Sequence, residues 1–163
     1  MEKFTGKVWV LGDDIDTDII IPTEYLAMPT VEDMKPYGFS PLRPELAAQM
    51  KEGDIIVAGK NFGCGSSREQ APEIIKALKV SCVIAKSYAR IFFRNSINNG
   101  LLLIENDQIQ DAVKEGDELT VTLGEKIEHN GVEYPIHSLP DNLMDIINAG
   151  GLVKAMQKRN NVK

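Results

Sequence analysis

An alternation through the middle third of the chain narrows the fold more than any other feature. Residues 54–59 contain the unbroken apolar run Ile55-Ile56-Val57-Ala58, the pattern of a short strand buried on both faces. A glycine-rich loop follows. Residues 67–79 then read as helical, 80–86 as extended, 88–98 as a second helix stopped by Gly100, and 101–104 as extended again. Strand, helix, strand, helix, strand predicts parallel neighbours joined by right-handed crossovers, hence an α/β fold with a mostly parallel central sheet.

The flanks differ in character. Residues 3–11 read as a strand that runs into the acidic loop Gly12-Asp13-Asp14-Ile15-Asp16-Thr17-Asp18, and a polar loop after a strand is a common seat of function. Residues 19–40 hold Pro22, Pro29, Pro36 and Gly38 without clear periodicity and are expected to form a long, mobile loop. Residues 43–51 predict a short helix ending at Gly53. Late in the chain, 117–123 alternates as a strand, and Asn130-Gly131 within 127–134 is a strong signal for an antiparallel hairpin. Residues 140–149 predict a helix closed by Gly150-Gly151, followed by a short final helix and a frayed basic tail containing Lys158, Arg159 and Lys163. His129 and His137 fall near the hairpin and read as structural or solvent-facing.

With 163 residues, of which 43% are hydrophobic, the chain can bury one core, and a single domain over 1–163 is expected. A net charge of −6 argues against nucleic-acid or anionic-membrane partners. Residues 3–10 show no signal-peptide pattern and no apolar run reaches membrane-spanning length, so a cytoplasmic location is expected. The two cysteines, Cys64 and Cys82, lie in different predicted elements, too few for a disulfide framework or for a self-sufficient zinc or iron–sulfur site. No metal is expected on this chain.

The residues best placed for chemistry are Asn61-Phe62-Gly63-Cys64-Gly65-Ser66-Ser67-Arg68-Glu69. Glycines permit a tight turn, Ser66 or Ser67 is expected to cap the following helix, and the free amides of its first turn beside Arg68 suit a carboxylate or phosphate. The same residues also fit a plain glycine turn with a capped helix and a solvated arginine. Three nucleotide or nucleophile motifs fail on spelling. No lysine precedes the serines as a Walker A loop requires, Gly-x-Ser-x-Gly is absent, and Arg68 stands where a dinucleotide fingerprint needs its third glycine. Lys86, Arg90 and Arg94 admit two readings, an anion-binding wall or an ion-paired exterior facing a partner, of which the exterior is favoured.

Four spaced motifs carry a resemblance. Asp16-Thr17-Asp18, Gly65-Ser66-Ser67-Arg68-Glu69, Lys86-Ser87-Tyr88-Ala89-Arg90-Ile91-Phe92 and the run from Asn95 to Asn99-Gly100-Leu101 together resemble the swivelling domain of the aconitase superfamily, over nearly the whole chain and in order. Within it the chain is similar to the separate small subunits of 3-isopropylmalate dehydratases. The resemblance implies a swivelling β/β/α-type domain and a hydro-lyase that works only with a large subunit, as a heterodimer or heterotetramer. That large subunit would carry a four-iron four-sulfur cluster acting as a Lewis acid. The resemblance also implies roles: Ser66 as the base, Arg68 as a carboxylate clamp, Asp18 with Thr17 beside them, and Gly65 and Ser67 at the substrate. By itself Asp18 also fits an N-cap or turn carboxylate, and Cys64 reads as a small residue packed in its loop.

For the substrate, the loop after Asp18 reads Glu24-Tyr25-Leu26-Ala27-Met28. Homoaconitase-like members resemble this chain but tend to place an arginine at the position of Ala27, where it would meet an extra carboxylate. Leu26, Ala27 and Met28 offer apolar surface instead, at roughly 1 kcal/mol per methylene contact, which favours a branched alkylmalate such as isopropylmalate in leucine biosynthesis. A 2,3-dimethylmalate dehydratase subunit, a homoaconitase-like subunit and a non-catalytic carboxylate- or phosphate-binding module are the alternatives.

Overall fold

The computed structural model describes residues 3–66, 68–136 and 140–149. Seven strands, β1 (Lys3–Val10), β2 (Ile55–Ala58), β3 (Cys82–Ala85), β4 (Leu103–Glu105), β5 (Glu118–Thr122), β6 (Lys126–His129) and β7 (Val132–Pro135), form one sheet in the order β4-β3-β2-β1-β5-β6-β7. The helices are α1 (Thr17–Ile20), α2 (Val31–Met34), α3 (Leu46–Gln49), α4 (Gln70–Ala77), α5 (Arg90–Asn98), α6 (Ile109–Ala112) and α7 (Asp141–Ala149).

The parallel half follows the expected alternation. Val8 lies opposite Ile55, Ile56 opposite Val83, and Val83 opposite Leu103, with α4 and α5 as the crossovers. Every residue of β2 and β3 is buried because both faces are covered. Ile56, Ala58, Val83 and Ala85 join Ile74 and Ile75 of α4 and Phe92 and Ile97 of α5 in one core. The alternate residues Ile55, Val57, Cys82 and Ile84 join Ile109, Leu119, Val121 and Ile127 in a second. Full burial of each such isoleucine contributes about 1.5–3 kcal/mol.

The sheet is less parallel than the sequence predicts. Three of its ladders are parallel and three antiparallel, because β1 serves different neighbours on its two edges. Val8 to Val10 pair with β2, whereas Lys3 to Lys7 pair antiparallel with β5, so the reversal starts before the hairpin. That hairpin forms as expected, with Asn130 (φ 50°) and Gly131 (φ 81°) in the left-handed geometry a two-residue turn requires.

The expected long loop at 19–40 is a packed string of one-turn pieces: α1, a 3-10 turn at Thr23–Tyr25, α2 and a 3-10 turn at Lys35–Tyr37. Ile20, Ile21, Met34 and Phe39 anchor it in the first core. One-turn helices are too short to display a 3.6-residue period, which is why the sequence looks irregular there. The pattern also hides α6, whose first amides at Gln108 and Ile109 are accepted by Asn106 Oδ1 at 2.8 and 2.9 Å. His129 is buried, with Nε2 2.9 Å from Asp117 Oδ2. His137, the final helix and the basic tail fall outside the described residues.

Candidate active site

The turns leaving β1 and β2 are stitched together beyond the sheet. Gly59 N donates to Gly12 O at 3.0 Å, Asp14 N to Lys60 O at 2.8 Å, Gly63 N to Ile15 O at 2.7 Å and Thr17 N to Cys64 O at 2.9 Å. The acidic residues of the first turn divide the remaining donors. Asp13 accepts from Lys60 N at 2.8 Å, Asp14 from the Asn61 amide at 3.3 Å, and Asp16 caps α1 by accepting from Ile19 N at 2.9 Å. At the end of the seam the buried Thr17 hydroxyl donates to the Ser66 carbonyl at 2.8 Å.

Gly63 shows why this loop must be glycine-rich. Its φ is +84°, and a Cβ there would lie 2.1 Å from Cγ of Phe92. The close approach brings the loop against the start of α5. There Thr17, Gly65, Ser66 and Arg68 share a 230 Å³ cavity with Ala89, Arg90, Ile91, Phe92 and Asn95.

Arg68 is held from three directions. Nη1 donates to Ile21 O at 3.0 Å, Nη2 to Thr23 Oγ1 at 2.8 Å, and Nη2 lies 2.5 Å from Asp18 Oδ1. Asp18 is therefore an ion-pair partner and not the cap, a role taken by Asp16. The guanidinium side chain is only 15% exposed, against 63% for the Asp18 side chain, so the arginine is fixed and its carboxylate looks outward. Ser66 itself is exposed at the cavity.

Two expectations about this loop are corrected. Among the described residues no side chain caps α4, which begins at Gln70 with Glu69 in the N-cap position, so Ser66 is not its cap. Ser66 lies three residues before the N-cap position, ahead of the place from which a side chain bonds the first-turn amides. The helix start that faces the cavity also belongs to α5: Ala89 to Phe92 line the wall, the N-cap Ala89 offers no side-chain cap, and the positive end of that dipole looks in. Ser67 lies outside the described residues.

The specificity candidates sit elsewhere. Leu26 and Met28 are half-buried against the first core, Ala27 is exposed, and none of the three lines the cavity. The three basic residues separate. Lys86 pairs with Asp111 at 3.0 Å on the exterior, as favoured from sequence, whereas Arg90 turns out on the cavity wall. Asn95 is there too, and the sequence offered no local signal for it beyond its place in a motif. Cys64 is half-buried, and burial together with Asp16 and Asp14 raises its thiol pKa, which disfavours a reactive thiolate. Among the described residues no three His, Cys, Asp or Glu side chains converge in a way that fits a metal ion or cluster.

Residues 25–109 match the family model of the aconitase C-terminal domain. Over 159 residues, 98% of this chain and 97% of the relative, the chain is 80% identical to the 3-isopropylmalate dehydratase small subunit of Lachnospira eligens. It belongs to the family of 3-isopropylmalate dehydratase small subunits. Small subunit 1 of the Archaeoglobus fulgidus enzyme is 51% identical over 91% of this chain and 94% of the relative. The fold agrees: the crystal structure of 3-isopropylmalate dehydratase from Methanocaldococcus jannaschii superposes with a TM-score of 0.91 at 40% identity, covering 98% of this chain and 96% of that one. The family model starts at residue 25, after Thr17 and Asp18, so their link to Ser66 and Arg68 rests on the tertiary contacts described above.

Proposed function

We propose that this chain is the small subunit of a hydro-lyase that interconverts 2-isopropylmalate and 3-isopropylmalate through 2-isopropylmaleate, in leucine biosynthesis. One observation carries the reading at the level of the site. Ser66 and Arg68 wall the same cavity, and the acidic turn bonds to both, through Thr17 and Asp18.

In this reading Ser66 removes the proton from carbon as an alkoxide. A serine is far too weak an acid to ionise in water, so the closed site must supply positive charge. Arg68 gives only part of it, since Asp18 offsets its charge; the start of α5 adds more. Arg68, fixed by Ile21 and Thr23, clamps a substrate carboxylate with its remaining donors, and Thr17 and Gly65 shape the pocket around the reacting carbons. Proton loss at one carbon and departure of the hydroxyl from the next form the double bond of 2-isopropylmaleate. Re-addition with the two positions exchanged completes the isomerisation.

A four-iron four-sulfur cluster held by the large subunit would supply the Lewis-acid chemistry for departure of the hydroxyl, since among the described residues of this chain no three His, Cys, Asp or Glu side chains converge to hold such a group. The working enzyme is a heterodimer or heterotetramer. Leu26, Ala27 and Met28 set the preference for an alkyl group when the large subunit closes over the loop. A cytoplasmic setting accords with a net charge of −6 and with described helices that are too short and polar to cross a membrane.

The test is anaerobic reconstitution with a cluster-bearing large subunit and a panel of isopropylmalate, dimethylmalate, citraconate and homoaconitate. Turnover of isopropylmalate that needs both chains is expected. A large subunit equally active alone would leave this chain a carboxylate-binding module, and a preference for dimethylmalate or homoaconitate would move it to those hydro-lyases.

A further inference from the structure

We propose that Arg90 is a second carboxylate-binding cation of the site, meeting from α5 the same dicarboxylate that Arg68 meets from the loop; this deepens the alkylmalate reading and rests on it. Two arginines line the cavity, and they differ in what already neutralises them. Arg68 is committed to Asp18, the Ile21 carbonyl and the Thr23 hydroxyl. Arg90 has no ion pair and no side-chain hydrogen bond among the described residues, although its side chain is long enough to reach many surface acceptors.

Among the described residues none that lines the cavity is acidic, and the nearby Lys86 is spent on Asp111. With Arg68 offset by Asp18, the net charge of the cavity is therefore set by Arg90. A dianionic substrate brings two negative charges and up to four acceptor oxygens, more than one partly neutralised guanidinium can balance. Arg90 supplies the missing charge as a planar fork matched to a carboxylate, which an ammonium group reproduces only in part. Arg94, one helical turn on, is not part of the wall and serves as the internal control.

The experiment uses the reconstituted two-subunit enzyme with Arg90→Gln, Arg90→Lys and Arg94→Gln. Arg90→Gln is expected to raise KM for 2-isopropylmaleate about tenfold or more, the loss of one charge-assisted hydrogen bond or pair of bonds, with subunit assembly unchanged. Arg90→Lys should recover part of that loss, and Arg94→Gln should match wild type. Inhibition by the diacid and by its two half-amides adds a readout that a purely structural role would not move. Wild type should discriminate strongly against at least one half-amide, and Arg90→Gln should lose that discrimination. Unchanged KM and discrimination overturn the assignment, as does a defect confined to subunit association, which would place Arg90 in the interface. If wild type itself fails on isopropylmaleate, the alkylmalate reading falls and takes this inference with it; an active wild type with an indifferent Arg90→Gln sinks only the role of Arg90.

Discussion

The hydroxyl of Thr17 donates to the carbonyl of Ser66 at 2.8 Å, joining two residues 49 positions apart at the wall of the cavity. Because Thr17 is buried, the bond is shielded from water and fixes where the Ser66 main chain sits. Thr17→Val keeps the shape and removes the donor. It should cost about 1 kcal/mol in urea unfolding and lower kcat more than it raises KM, while Thr17→Ser stays near wild type. A Thr17→Val enzyme with full kcat would show that the bond is structural only.

Ser66 is exposed at the cavity and makes no packing contribution that its loss would disturb. Ser66→Ala is expected to reduce kcat by roughly 10²–10⁴-fold, the range for removal of a positioned base, with normal folding and normal assembly. Steady-state turnover with sedimentation of the complex decides it, and wild-type rates would remove Ser66 from the mechanism.

Ala27 is exposed on the loop that leads away from the Thr23 anchor of Arg68. Ala27→Arg should leave stability within about 0.5 kcal/mol of wild type, as surface substitutions usually do. It should depress isopropylmalate turnover and improve the relative rate on homoaconitate, whose extra carboxylate the new charge would meet. Unchanged kcat/KM ratios across the two substrates would separate this loop from specificity.

Gly63 cannot accept a side chain. Alanine there would place Cβ 2.1 Å from the Phe92 ring at a φ of +84°, combining overpacking with backbone strain. A loss of roughly 2–4 kcal/mol is expected by thermal or urea unfolding. Phe92→Leu should relieve part of the clash, and a double variant no more stable than Gly63→Ala alone would place the cost in the backbone.

Acid sensitivity has an identifiable source beside β1. The Arg43 guanidinium holds the Glu115 carboxyl below the usual carboxylate range by a paired hydrogen bond, against the opposing effect of burial. A folded-state pKa below the unfolded value means the stabilisation is complete above the unfolded glutamate pKa and is lost as pH falls through the folded one. Asp117 behaves alike, lowered by the Lys114 amide and then by His129. Glu115→Gln should therefore flatten the acid limb of an unfolding-versus-pH profile and leave it unchanged near neutrality in shape. A profile with the wild-type slope would assign acid lability to other carboxylates.

The sequence by itself determined the parallel half of the sheet, the hairpin and the identity of the Ser66 and Arg68 loop. Those features depend on local pattern: unbroken apolar runs such as Ile55 to Ala58, the Asn130-Gly131 turn, and glycines where only glycine fits. Tertiary structure alone decided the rest. The two uses of β1 depend on which strand lies along each edge, and Asp13, Asp14 and Asp18 were assigned to Lys60, Asn61 and Arg68 by contacts between distant parts of the chain, the Asp16 cap of α1 alone being local. The cavity wall moved from α4 to α5 for the same reason, since a local pattern can show that a helix begins but not what its first turn faces. Arg90 and Arg94 look equivalent along the helix, and tertiary contacts of Phe62 and Gly63 with Ala89 and Phe92 set the start of α5 toward Ser66.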